Sequence, residues 1–191
     1  MVDIDGVVSL FGSPEWAAAA SVATAGQPRP PAPSPPPAAA SGEAPRVEGA
    51  LHSIDGIPHF LSSTAATHLL ALLPQFELVW ASGWEEKANE HLPRLLGLPG
   101  PLPYLRFARR LKSGSPTHAH WKLEAIESYA GDRPLAWIDD AFNGACHAWA
   151  KARTAPTLLV GTAPDRGLTS REVKLLMAWA AGHPPPATHP A

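Results

Sequence analysis

Residues 76–96, FELVWASGWEEKANEHLPRLL, change from an apolar run to a helical pattern across one short turn. The run FELVWA (76–81) is mostly apolar and does not alternate, which predicts a short strand covered on both faces of a sheet. Pro93 should kink or end the first part of the helix that follows. A buried strand that leads directly into a helix is typical of a parallel sheet covered by helices. The helical spacing is carried by Trp84, Ala88, Leu92, Leu95 and Leu96.

The same alternation of strand and helix extends to both sides of this stretch. Residues 2–8 (VDIDGVV) predict a strand that runs into a turn at Gly6, because β-branched residues alternate with acids. Thr169 and Glu172 have the spacing of a capping box ahead of a last helix. We therefore predict an α/β fold with a parallel sheet and helices on both of its faces. The other predicted helices are 63–73, 121–129 and 142–149, and the other predicted strands are 103–107, 135–138 and 157–160.

Proline marks the parts of the chain that stand outside this pattern. The 191 residues include 23 prolines, and seven of them fall between Pro28 and Pro37. We interpret 27–41 as a flexible insert and 183–191 as a disordered tail on a single domain of residues 1–182. Asp55-Gly56 lies between apolar runs, which predicts a hairpin flap over 50–61. Pro58 should make one of its strands an edge strand.

The composition excludes several classes of protein. The single cysteine, Cys146, leaves no intramolecular disulfide and no cysteine-based zinc site, and we expect it to be buried and inert. The chain has no apolar run long enough to span a membrane, and its N-terminus carries acids where a signal peptide would carry basic residues. We therefore predict a cytoplasmic protein. The net charge of −2 gives no overall attraction to nucleic acid.

Polar residues follow the predicted strands at the edge of the sheet where ligands bind in such folds. Asp3 and Asp5 stand two apart before Gly6, so both carboxylates would point to one face. Ser82-Gly83 follows the second strand, Asp139-Asp140 follows a later one, and Lys122 opens a helix. Carboxylates with few histidines suit a hard cation such as Mg²⁺.

Each of these elements also has a simpler interpretation. A D-x-D-G turn is common without any catalytic role. Ser82 and Glu85 have the spacing of a capping box, so Ser82 could serve only as a helix cap. Lys122 taken alone is a surface lysine, and Asp139-Asp140 could be only the start of a helix. Their joint occurrence in this order favours a functional site.

The segments MVDIDGVV, VWASGW and WIDDAF, with a lysine before the last, resemble in order the four motifs of the haloacid dehalogenase-like (HAD) hydrolases. The likeness extends from Met1 to about Pro164. More narrowly, LVWASGWEEKANEHLPRLLGLP resembles bacterial HAD-like domains of the secondary or RNA-repair-associated type. The resemblance implies a three-layer Rossmann-like sheet. Only Met1 and Val2 precede the first aspartate, so its strand should be too short to pair fully with its neighbours.

The resemblance also implies a Mg²⁺-dependent phosphatase or phosphohydrolase that forms an aspartyl-phosphate. Asp3 would be the nucleophile and Asp5 the general acid and base. Ser82 and Gly83 would bind the phosphoryl oxygens, and Lys122 would neutralise their charge. The metal ligands implied are Asp3, Asp5 and one or both of Asp139 and Asp140.

The substrate implied is a small phosphorylated molecule, and the oligomeric state stays open. Arg106, Arg109, Arg110 and Lys112 form a basic cluster that is either a solvated surface or a docking patch for nucleic acid. Two alternative functions follow: a nucleic acid end-processing phosphatase, and a non-catalytic HAD-like module that docks a partner through its proline segment. His118 and His120 lack a third metal ligand at recognisable spacing, so an exposed loop is favoured there.

Overall fold

A computed structural model describes residues 1–12, 16, 47–107 and 118–183. The predicted insert at 27–41, three of the four basic-cluster residues (Arg109, Arg110 and Lys112) and the tail from 184 onward lie outside the described residues. In chain order the elements are β1 (Ser9–Leu10), β2 (Gly49–Ile54), β3 (Ile57–Ser62), α1 (Ser63–Leu72), α2 (Lys87–Leu96), a 3-10 helix (Ala119–Lys122), α3 (Leu123–Ala130), β4 (Leu135–Asp139), α4 (Gly144–Ala152), β5 (Thr157–Gly161) and α5 (Ser170–Gly182). The described chain is therefore of the α/β class.

Parallel pairing joins five segments of the chain. The strands β4 and β5 are parallel, with Leu135 opposite Thr157 and Asp139 opposite Gly161. Single parallel bridges then join Val2 to Ile138 and to Trp80, and Trp80 to Tyr104. The resulting order is Tyr104, Trp80, Val2, β4, β5.

The predicted strands at 2–8, 76–81 and 103–107 are single bridges rather than regular strands. After Ile4 the chain turns at once, since the amides of Val7, Val8 and Ser9 all donate to the Ile4 carbonyl. Pro103 has no N–H to extend a ladder, although its carbonyl accepts from Trp80 N. Val2 is nevertheless bridged on both sides, so the short first segment is fixed between its neighbours.

Successive residues of the parallel segments enter two different apolar clusters. Val2 and Ile138 belong to one cluster, which also holds Leu69 of α1, Leu92 of α2 and Leu176 of α5. Met1 and Trp137 belong to the other, which also holds Ile126 of α3 and Cys146 of α4. Cys146 is fully buried, as expected. The segments are therefore packed on both faces, and their polar ends are held by a rigid core.

A three-stranded antiparallel sheet forms the second part of the fold. The predicted hairpin is confirmed: β2 pairs with β3 from Gly49–Ser62 to Ile54–Ile57, and Asp55 and Gly56 form the turn with φ of 51° and 78°. The prediction that Pro58 lies in an edge strand was wrong, because β3 is the middle strand, with β1 on its other side. Pro58 is tolerated because β1 is short and pairs only with Phe60 and Leu61.

The helix after the second parallel segment begins later than predicted. Trp84 lies in a turn, and α2 starts at Lys87 because Glu85 has a φ of 48°, outside the helical range. The helix then continues through Pro93 and ends at Leu96, with Gly97 as a left-handed cap.

The remaining helices lie close to their predicted positions. The capping box of Thr169 and Glu172 is confirmed at the start of α5. In the described part of the chain, no helix has both the length and the apolar character needed to cross a membrane.

Candidate functional site

The register of the parallel segments places the predicted acidic residues at one edge. Because Val2 is bridged to Ile138, Asp3 lies beside Asp139, and the Asp3 amide donates to the Ile138 carbonyl at 3.0 Å. The amide of Ala81 donates to the Val2 carbonyl at 2.8 Å, so Ser82 emerges at the same edge. Asp3, Ser82 and Asp139 are all buried. The edge thus brings together residues that are far apart in the sequence.

Lys122 is the cation at the centre of this edge. It lies at the end of the 3-10 helix, its side chain is 4% exposed, and its Nζ is 2.7 Å from Asp3 Oδ2 and 2.7 Å from Asp139 Oδ2. The interpretation of Lys122 as a surface lysine was therefore wrong. The low polarity around the ammonium strengthens both ion pairs relative to pairs in water.

The second oxygen of each carboxylate is also held. Asp3 Oδ1 accepts from the Ile4 amide at 2.8 Å, and Asp139 Oδ1 accepts from the Ala141 amide at 3.0 Å. Both donors belong to the turns that follow the parallel segments. The two side chains are consequently fixed on both oxygens, as a preorganised site requires.

Three of the four predicted metal ligands lie close enough to share one cation. Asp3, Asp139 and Asp140 each offer a carboxylate oxygen, and these oxygens lie within 4.8 Å of one another. Asp5 is not part of this group of three, and its Oδ2 accepts a hydrogen bond from Trp84 Nε1 at 3.1 Å.

Burial raises the pKa of the acids in the site. The pKa of Asp3 rises to about 7 because burial and the charges of Asp139 and Asp5 outweigh the opposing effect of Lys122. The pKa of Asp5 is raised by burial against the hydrogen bond from Trp84. Burial, together with the charge of Asp139, also raises the pKa of Asp140. Three carboxylates at one edge thus resist simultaneous ionisation unless positive charge is added.

The pKa of Lys122 is raised above its ordinary value. Burial alone would lower it, but the carboxylates of Asp3 and Asp139 outweigh burial and raise it. Lys122 therefore stays charged at neutral pH.

Gly6 lies in the turn that follows Asp3 and Asp5, and Thr162 contacts this turn. Gly6 has a φ of 71°, and the side chain of Asp140 packs directly against it. Thr162, which follows β5, donates from Oγ1 to the Gly6 carbonyl at 2.8 Å. Sequence reasoning missed Thr162, although a polar residue after a predicted strand was the signal that had identified the other site residues.

Trp84 and His59 also lie at the site, and neither was predicted to act there. The rings of His59 and Trp84 meet edge to face, with centroids 4.7 Å apart, and Ser9 Oγ hydrogen-bonds His59 Nδ1 at 3.0 Å. His59 comes from the hairpin, so the hairpin reaches the site through this contact. The position of Trp84 directly after Ser82-Gly83 was the signal available in the sequence.

Ser82 and Gly83 precede the turn rather than a helix. The first residue of α2 is Lys87 and its N-cap residue is Glu86, so the interpretation of Ser82 as a helix cap was wrong. Gly83 is half-buried beside it. Ser82 therefore lies at the sheet edge together with Asp3 and Asp139, as the register of the segments requires.

Arg106, His118 and His120 were the other described candidates for a functional role. Arg106 is exposed and binds Glu86 Oε2 at 2.7 Å. His120 Nδ1 hydrogen-bonds the side chain of Asn143 at 3.0 Å, and neither His118 nor His120 belongs to a metal-ligand group among the described residues.

No family model, curated protein or solved structure matches the chain.

Proposed function

We propose that this protein is a Mg²⁺-dependent phosphohydrolase that cleaves phosphomonoesters through an aspartyl-phosphate on Asp3. The proposal includes the fold implied by the motifs, the three-layer Rossmann-like sheet of HAD-like hydrolases. One observation carries it: the buried Lys122 ammonium lies 2.7 Å from the carboxylates of both Asp3 and Asp139. One buried ammonium among three carboxylates leaves the edge with net negative charge, so it is suited to a divalent cation that would in turn bind a phosphate.

The donor set fits Mg²⁺. Asp3, Asp139 and Asp140 supply carboxylate oxygens only, and hard oxygen donors are the ligands that Mg²⁺ prefers. Bound there, Mg²⁺ would offset the repulsion between the Asp3 carboxylate and a phosphate dianion. Lys122 adds a second positive charge on the same side of Asp3.

The residues of the chain divide the reaction between them. An oxygen of Asp3 attacks the phosphorus atom, and the bond between phosphorus and the ester oxygen breaks. Asp5 donates its proton to that leaving oxygen, and then accepts a proton from the water that attacks the aspartyl-phosphate and frees Asp3. Burial favours the protonated form of Asp5 that the first step needs. Ser82 and Lys122 bind the phosphoryl oxygens, where positioning and charge supply most of the rate.

The test is hydrolysis of phosphomonoesters with MgCl₂ and with EDTA. Asp3→Asn should abolish turnover because an amide is not a nucleophile toward phosphorus. Asp132→Asn is the matched control, since Asp132 is exposed in the loop before β4, and it should leave turnover unchanged. Full hydrolysis by Asp3→Asn would overturn the proposal.

The panel should include sugar phosphates, nucleotides and phosphorylated oligonucleotide ends. Preference for oligonucleotide ends would direct the proposal to nucleic acid end processing. A folded protein that hydrolyses none of them, with no stabilisation by Mg²⁺, would favour the non-catalytic binding module instead.

A further inference from the structure

The indole of Trp84 holds one oxygen of the proposed acid and base. Trp84 Nε1 donates to Asp5 Oδ2 at 3.1 Å, and both side chains are partly buried. This hydrogen bond is made to Oδ2 of Asp5, so Oδ1 is the oxygen that would transfer the proton. An indole N–H can only donate, so it does not exchange protons with Asp5.

The backbone conformation at Glu85 places the Trp84 side chain against Asp5. Glu85 has a φ of 48°, a conformation that costs free energy in a residue other than glycine. Two contacts maintain it: the Glu85 amide donates to the Ser82 carbonyl at 3.0 Å, and Glu85 Oε1 accepts from the Phe107 amide at 2.9 Å. The start of α2 is thereby delayed to Lys87, and Trp84 faces the site instead of the helix surface.

The hairpin holds the other side of the indole. His59 of β3 packs edge to face against Trp84 at 4.7 Å, and Ser9 of β1 hydrogen-bonds the imidazole at 3.0 Å. Ser9 is fully buried and pairs with Leu61 of β3, so this support is part of the sheet. A continuous set of contacts therefore runs from the hairpin through His59 and Trp84 to Asp5.

We propose that Trp84 is a positioning residue that orients Asp5 toward the leaving-group oxygen, with His59 fixing the indole. The inference rests on the proposed function. It adds the positioning of Asp5 to the roles that the family resemblance implies for the site residues. Its consequence is selective, because only a poor leaving group needs a well-placed proton. Small misplacements of a catalytic group are costly in rate.

The experiment compares two esters: an alkyl phosphate, whose alkoxide leaves poorly, and p-nitrophenyl phosphate, whose phenolate leaves without a proton. Trp84→Phe keeps an aromatic ring against His59 and removes the N–H. Its kcat/KM on the alkyl ester, which reports the step that forms the aspartyl-phosphate, should fall by about tenfold to a hundredfold, while kcat/KM on p-nitrophenyl phosphate stays close to wild type. Trp149→Phe is the control, since its indole also donates to a carboxylate, Glu127 Oε2, at 2.9 Å, in an exposed hydrogen bond between α4 and α3.

A purely structural role would lower kcat/KM equally for both esters, so an unchanged ratio of kcat/KM between the two esters in Trp84→Phe overturns the inference alone. If Trp84→Phe does not fold, His59→Leu is judged by the same ratio. A wild-type protein that cleaves neither ester overturns the proposed function and this inference with it.

Discussion

The side chain of Asp140 lies directly over Gly6, so that a Cβ atom added at position 6 would overlap the Asp140 carboxylate. The close approach ties the turn after Asp3 to the acids after β4. Glycine is needed at position 6 for two separate reasons. The φ of 71° disfavours other residues, and the Asp140 side chain already occupies the space that a Cβ atom would need.

We expect Gly6→Ala to destabilise the protein and displace Asp140, which should weaken Mg²⁺ binding. Gly97→Ala separates the two causes, because Gly97 has a similar φ of 67° and nothing within 4 Å of the added Cβ. The control should lose about 1–2 kcal/mol from its backbone conformation alone. Urea denaturation and Mg²⁺ titration measure both effects, and equal losses in the two variants would contradict the role given to Asp140.

Removal of the buried cation should be far more costly than removal of an exposed one. Lys122→Met leaves Asp3 and Asp139 close together without their cation, and we expect a loss of about 3–5 kcal/mol in unfolding free energy without metal. Lys87→Met breaks a pair of the same 2.7 Å length with Asp55, but that pair is exposed and screened by solvent, so its loss should change stability little. Chemical denaturation in EDTA compares the two. A similar small cost for both would show that the central ion pair contributes little to folding.

Asn89 of α2 connects the helix to two of the parallel segments. Its Nδ2 donates to the Leu102 carbonyl at 2.7 Å, and its Oδ1 accepts from the Leu102 amide at 3.0 Å and from Trp80 Nε1 at 3.3 Å. Asn89→Ala leaves these groups without partners in a partly buried position, so we expect a loss of about 1–3 kcal/mol. The exposed neighbour Glu90→Ala should change stability by less than about 0.5 kcal/mol. A thermal melt of each variant makes the comparison.

The sequence predicted the elements whose chemistry is local. Asp55-Gly56 required two left-handed residues between apolar runs, and the capping box needed only Thr169 and Glu172 at their spacing. The polar residues after the strands could also be identified, because the carboxyl ends of parallel strands meet at one edge. Those signals are contained in a few neighbouring residues each.

The parts that sequence reasoning missed depend on distant segments. Nothing near Lys122 in the chain indicates its burial, which arises from the approach of Asp3 and Asp139. The left-handed conformation of Glu85 is held by the Phe107 amide, so a helix from Trp84 looked consistent with the apolar spacing. The lengths of the strands predicted at 2–8, 76–81 and 103–107 were also overestimated, because an apolar run does not reveal how many residues its neighbours will pair.

The site should make stability depend on pH and on Mg²⁺ together. The pKa of Asp3 is raised from 3.8 to about 7 in the folded protein, mainly by burial, and those of Asp5 and Asp140 are raised in the same direction. Without metal, these acids therefore hold protons in the folded state that they release in the unfolded chain between about pH 4 and pH 7, and their contribution to stability should fall as the pH rises through that window.

Mg²⁺ binds the ionised carboxylates, so its stabilising effect should be large at about pH 8 and small at about pH 5. Thermal melts with MgCl₂, compared with NaCl of equal ionic strength, isolate binding from screening. Asp3→Asn should lose the decrease in stability that Asp3 contributes as the pH rises, because this group no longer titrates, while Asp132→Asn should retain it. A Mg²⁺ effect that is equal at both pH values would mean that the cation binds away from these buried carboxylates.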